Sequence, residues 1–133
     1  MLAYFWVGLG GALGSMLRFW LSILISRQFG ETFPWGILAI NVIGSFVIGV
    51  LAAFTNPDGP VPPSSRIFAT QFLMIGLCGG FTTFSSFSRD TLRLLQDRQW
   101  LFAGGNVMLS VALCLLAVWL GYFLGSFATQ PRQ

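Results

Sequence analysis

Residues 79–88 read GGFTTFSSFS, two glycines followed by three phenylalanines threaded among five hydroxyls. They lie inside a segment, residues 67–98, that carries no charge until Arg89. As one continuous helix its 32 residues would run about 48 Å, against a hydrocarbon core of about 30 Å. The segment therefore extends far into water or is broken. A break is cheapest near residues 79–83, because glycine costs about 1 kcal/mol in a helix interior and threonine is a weak helix former. Unwound backbone at membrane depth needs the cover of protein or of a water-lined cavity. In transporters such interrupted helices aim free carbonyls and half-helix ends at ions.

The rest of the chain supplies the membrane. Of 133 residues, 55% are hydrophobic and 8% charged, whereas soluble domains carry about 25% charged residues. Four stretches are apolar enough to span, at about 2–26, 35–55, 67–95 (broken) and 100–127. The expected fold is an all-α membrane protein, one four-helix domain over residues 1–133, with the third helix broken. A polar loop follows Arg27. The NPDGPVPPSS run, residues 56–65, holds four prolines and cannot continue a helix. Residues 96–99 form a tight turn, and the tail from 129 to 133 is expected to fray. Both termini then fall on one side. The N-terminus is apolar from Leu2 with no positive flank, so the first segment is expected to stay in the membrane rather than be cleaved.

All seven cations are arginines, the anions number four, and histidine is absent. No basic run exists to neutralise a row of phosphates, which argues against nucleic acid. Arg66 and Arg132 fall on the side of the termini; Arg27 and Arg98 fall on the other, joined by Arg89 and Arg93 if the third helix emerges early. That weak bias permits insertion in both orientations, and hence a pair of opposed subunits. Cys78 and Cys114 lie in apolar runs and read as small packing residues; a disulfide framework or a metal site needs more ligands.

Polar residues inside the spans carry the functional signal. Asn41, Gly44, Ser45, Gly49 and Ala52 share one face of the second helix. Two readings stand open there, a packing seam with Asn41 as hydrogen-bonding glue, or a pore wall. Asn106, Ser110, Cys114, Gly121 and Gly125 form a similar stripe on the fourth helix, and Gly10–Gly14 and Gly11–Ser15 pairs mark close contacts of the first. Phe84 and Phe87 share a face of a helix starting near Thr82, beside the hydroxyls of Thr82, Ser85 and Ser86. Hydroxyl donors and positive ring edges together can hold a small anion without a fixed cation. The alternative is that the hydroxyls bond back to carbonyls one turn earlier and the rings only pack. Arg18 is the one arginine deep in a span, about 12 Å from its helix end, and points to a polar vestibule or to tied-down carbonyls. No carboxylate is expected inside any span, and no serine has a plausible base. Enzyme and proton-coupled antiporter are both disfavoured, and a passive conduit remains.

These residues resemble the small bacterial fluoride channels, the Fluc or CrcB family, over nearly the whole chain. The match is carried by GALGSMLRFW (residues 11–20), WGILAINVIGSFVIG (35–49), GLCGGFTTFSSFS (76–88) and the Asn106–Ser110 pair. The resemblance implies a passive channel exporting fluoride from the cytoplasm across the bacterial inner membrane. It implies an antiparallel dual-topology homodimer with two anion pores and a structural sodium ion at its centre. The sodium would be held by the backbone carbonyls of Gly79 and Thr82. The anion pore would be lined by Asn41, Phe84, Phe87, Ser85, Ser86, Asn106 and Ser110. The chain departs from the family pattern at Ile37, often a threonine, and at Asn106, where an aromatic or histidine is sometimes found. Fluoride, rather than another small anion, rests on the resemblance. The alternative is a small multidrug-type dual-topology exporter, which would want a membrane-embedded carboxylate; a third reading is a non-transporting assembly protein.

Overall fold

The computed structural model describes residues 1–30, 32–57 and 59–129. The described residues are all helical or connecting, with no strand. The first helix, α1 (Leu2–Phe29), ends where Gly30 takes a φ of 79° and its N–H donates to the Ser26 carbonyl at 3.0 Å. A residue with a Cβ rarely adopts that φ, so the glycine sets the boundary. The second helix, α2 (Trp35–Thr55), runs 21 residues, about 31 Å. After a loop, α3 (Pro63–Phe68) passes without interruption into a π-helical stretch, Ala69–Cys78, and then into α4 (Gly79–Phe81). Two extended residues separate this rod from α5 (Phe84–Gln96), and α6 (Trp100–Thr129) completes the chain. Four segments, Leu2–Phe29, Trp35–Thr55, Pro63–Gln96 and Trp100–Thr129, are long and apolar enough to cross a membrane.

The broken helix is where the length argument put it, with one correction. Gly79 and Gly80 stay helical, Gly79 at φ −63° and ψ −37°. The break falls after them, at Thr82 and Thr83. Gly80, like Gly76 one turn earlier, serves close packing instead. A Cβ on Gly80 would run into the Gly11 backbone, and one on Gly76 would meet the Gly10 Cα and the Val7 carbonyl, each at 3.0 Å. The α5 helix accordingly starts at Phe84, two residues later than the sequence suggested. The outer helices also run further than expected, to Phe29 and Thr129, and residues 130–133 of the expected frayed tail lie outside the described residues.

Two glycine seams build the bundle, and each joins helices that run the same way. Gly10 and Gly14 of α1 meet the backbone around Gly76 and Gly80. Gly49 and Gly121 place the α2 and α6 backbones against each other at Val118 and Phe46, and Gly125 abuts Ala53. In lipid there is no hydrophobic drive between helices, so backbone approach through small residues supplies the packing. The α2 stripe therefore divides. Asn41, Gly44 and Ser45 face the broken helix, while Gly49 joins Ala53, rather than Ala52, on the seam with α6. Ile40 and Leu94 are fully buried, while Phe19, Trp20, Leu101, Met108 and Trp119 point outward. That distribution suits a lipid surroundings. At the end bearing the 56–65 loop, Arg66 donates from Nη2 to the carbonyls of Pro57 and Val61, both at 3.1 Å.

Candidate functional site: a groove at the helix break

The break is held open by one side chain. Asn41 on α2 brackets the Thr83 peptide: its Nδ2 donates to the Thr83 carbonyl at 3.1 Å and its Oδ1 accepts the Thr83 N–H at 2.8 Å. Backbone polar groups away from water must find partners, and Asn41 gives Thr83 both. Thr83, only 7% exposed, then caps α5 through its own hydroxyl, which accepts the Ser86 N–H at 3.1 Å. It also donates to Ser86 Oγ at 3.2 Å. A hydroxyl has one proton to give, so Ser85 is the donor in its 3.1 Å contact with Thr83 Oγ1.

The carbonyls of Gly79 and Thr82 are among those that lose their helical donors as a result. In an unbroken helix the Thr83 N–H would close on the Gly79 carbonyl, and the Ser86 N–H on that of Thr82. Both N–H groups are diverted, to Asn41 Oδ1 and to Thr83 Oγ1. Gly79 and Thr82 also line a groove of about 430 Å³ that passes between α2, the break and α6. Asn41, Gly44 and Ser45 form one wall, Phe84 and Phe87 the second, and Ser110 and Cys114 the third. The two rings lie 5.3 Å apart, tilted by 46°. Phe84 is 78% exposed in the single chain, so its ring awaits lipid or another protein surface.

The remaining candidates separate. Asn106 does not line the groove. It is 1% exposed, donates to Thr91 Oγ1 at 2.8 Å, and lies within 3.5 Å of the Ser110 hydroxyl. Ser110, Asn106 and Thr91 thus form a buried polar chain that ties α6 to α5. Ser85 and Ser86 stand behind the break, engaged with Thr83. Back-bonding claims the Thr82 hydroxyl, which donates to the Cys78 carbonyl at 2.9 Å, and that of Ser88, which reaches the Phe84 carbonyl at 2.9 Å. Arg18 lies away from the groove and donates to Ser15 Oγ at 3.5 Å; Ser15 in turn donates to the Gly80 carbonyl at 3.4 Å. Arg18 therefore reaches the rod before the break through Ser15. With α1 ending at Phe29, Arg18 is about 16 Å from the helix end, deeper than the sequence implied.

Two points of the sequence reading change. Asp90 is a carboxylate inside the third spanning segment, buried and paired with Arg89 at 2.9 Å; it lies midway along α5, off the groove. The sequence places Thr83 in the break and among the hydroxyls but not as a cap, although threonine is among the favoured N-cap residues. Replacing Thr83 by alanine removes the cap and is expected to cost about 1 kcal/mol, with serine largely restoring it. Thermal unfolding in detergent measures both.

The four long apolar helices and the groove at the break define a multi-pass membrane protein with a largely apolar cleft, carrying a few polar groups, at a helix interruption. The model of the CrcB-like protein, camphor resistance family matches residues 5–122, and the chain belongs to that family. It is 55% identical to a fluoride-specific ion channel FluC of Rhodospirillum rubrum, covering 91% of this chain and 92% of that one. It is 54% identical to the FluC of Opitutus terrae, at 92% and 91% coverage, and 56% identical to that of Paramagnetospirillum magneticum, at 92% and 94%.

Proposed function

We infer that this chain is a fluoride-selective ion channel that conducts passively and exports fluoride from the cytoplasm. The observation that carries the reading is the identity of 54–56%, over more than nine-tenths of the chain, to proteins named fluoride-specific ion channels. The groove supplies a rationale. Fluoride holds water tightly, so its path must offer close donors and positive edges in place of that water. The Phe84 and Phe87 edges, the Asn41 amide and the Ser110 hydroxyl are the groups on the groove for that role; Ser85 and Ser86 support it through Thr83, Asn106 through Ser110, and Arg18 supports the rod from α1. The one carboxylate near this region, Asp90, is engaged with Arg89, which disfavours the proton-coupled exporter alternative.

The working form we propose is an inverted homodimer in the bacterial inner membrane, with two pores and a sodium ion between the subunits. The Gly79 and Thr82 carbonyls fit such an ion. They are neutral oxygens on the groove, and their helical donors are taken by other acceptors. Two oxygens from one chain are too few for a cation, and a two-fold partner would double them. Sodium, when bound, supplies a fixed positive charge that tightens the break and favours an anion nearby. The 78% exposure of Phe84 supports a partner surface over that wall.

Proteoliposomes loaded with fluoride test the reading. The chain is expected to release fluoride without a proton gradient, and equal chloride release would overturn the selectivity. Phe84→Ile removes a ring edge while keeping the bulk apolar; fluoride flux should fall at least tenfold with the dimer intact by cross-linking. Replacing sodium by a large organic cation throughout purification and assay should suppress flux and lower thermal stability together.

A further inference from the structure

A line of hydrogen bonds leaves the groove wall and returns to it. It starts at Ser110 on α6, which lines the groove and is buried. It passes through Asn106, one turn earlier, to Thr91 on α5. It ends on the carbonyl of Phe87, a residue of the second wall. The separations along it are 3.5, 2.8 and 2.8 Å in that order. The line has a forced direction. A carbonyl only accepts, so Thr91 spends its one proton on Phe87. Thr91 can then only accept from Asn106, which must turn its Nδ2 that way. The amide oxygen is left to Ser110, and it has no proton to give. Ser110 is therefore the donor in its link to Asn106.

That direction works against an anion in the groove. An anion needs the Ser110 proton, and Asn106 already draws it. The link that must open is the weakest of the three. At 3.5 Å it lies beyond the range of about 2.5–3.0 Å usual for a hydroxyl donor and an oxygen acceptor. Opening it leaves the Asn106 oxygen without that donor at a residue 1% exposed, and a buried acceptor without its partner is costly. The two shorter bonds keep Asn106 from escaping that cost. Reversing its amide would set an oxygen against the Thr91 oxygen, whose proton is already given to Phe87. The line therefore lowers the hold of Ser110 on an anion without abolishing it. A conduit needs that balance, binding well enough to admit its ion and weakly enough to release it.

We propose that Thr91 and Asn106 are positioning residues that set the direction of the Ser110 hydroxyl, and through it how tightly the groove holds its anion. The inference rests on the reading of the groove as a fluoride path. Its test is the half-saturating fluoride concentration of the full-length protein. Two readouts give it, efflux rates from proteoliposomes and the fluoride-induced rise in melting temperature in detergent. Thr91→Val keeps the shape and removes the hydroxyl. The Asn106 amide is then free to reverse and donate to Ser110, whose proton turns to the groove. Half-saturating fluoride should fall about threefold or more. Asn106→Leu, which removes the competing acceptor outright, should shift it in the same direction. Thr91→Ser keeps the hydroxyl and should follow the parent. Ser110→Ala removes the proton at issue and should raise the half-saturating concentration. Adding Thr91→Val to Ser110→Ala should leave that value within about twofold of Ser110→Ala alone. A role in packing alone would lower melting temperature and maximal rate, and its effect would persist without Ser110. An unmoved half-saturation in Thr91→Val, a Thr91→Ser that behaves as the valine does, or an equal valine effect without Ser110 would overturn the inference while leaving a conducting parent intact. A parent that neither releases nor binds fluoride would overturn the functional reading and this inference together.

Discussion

Asn41→Asp is expected to reduce fluoride flux about a hundredfold or more while the protein still inserts. The substitution is nearly isosteric and keeps an acceptor for the Thr83 N–H, now bonded at 2.8 Å. It removes the donor that meets the Thr83 carbonyl at 3.1 Å. A buried carbonyl left without its donor costs about 1–3 kcal/mol. The new charge acts on the anion as well. A carboxylate and a passing anion about 5 Å apart, at an effective dielectric of about 20, repel by about 3 kcal/mol, or roughly two decades in rate. Asn41→Leu separates the two effects. It loses both bonds to the Thr83 peptide without adding charge, so it should lower thermal stability more than the aspartate and disturb the cap at Thr83. Efflux and unfolding measured on both variants check this. Wild-type flux through Asn41→Asp would remove Asn41 from the anion path.

Gly49→Val is expected to be among the most destabilising single changes in the bundle. A Cβ at Gly49 meets only α6 backbone, the Val118 carbonyl and the Tyr122 nitrogen, and a Cβ at Gly121 meets the Phe46 carbonyl in return. Backbone cannot rotate aside, so the helices must part. Overpacking costs about 1–3 kcal/mol where side chains can adjust, and more is expected here. Those two helices also carry opposite walls of the groove, Asn41 and Gly44 on one, Ser110 and Cys114 on the other. Stability and flux should therefore fall together. Gly104 is the comparison: nothing lies within 4 Å of its would-be Cβ. Gly104→Ala in the exposed helix should stabilise by up to about 1 kcal/mol. Melting curves in detergent distinguish the two positions, and equal effects would contradict the seam.

The broken helix shows how far residues alone carry the reading. Its existence follows from length, since residues 63–96 make a 34-residue span, too long for a bilayer of about 30 Å. Its position is another matter. Local propensity points at Gly79 and Gly80, the poorest helix formers in the run, yet both are helical, and the Gly11 backbone of α1 packs on Gly80. The break moves to Thr82 and Thr83 because α2 brings Asn41 within reach of the Thr83 peptide, 42 residues away. Asn106 follows the same pattern. Its stripe on α6 was visible, but its direction, towards Thr91 rather than the groove, depends on where α5 lies.

Sequence by itself determined the solvent, the number of spans, the overlong third segment and the family, because these rest on composition, length and motif. It also picked out Asn41, Phe84, Phe87, Ser110, Gly79 and Thr82, which the fold gathers on one groove. Only the tertiary structure decided which hydroxyls bond back to their own helix, which carbonyls lose their donors, and which glycines pack instead of breaking. Those outcomes depend on a partner arriving from another helix, and helical periodicity carries no record of that partner.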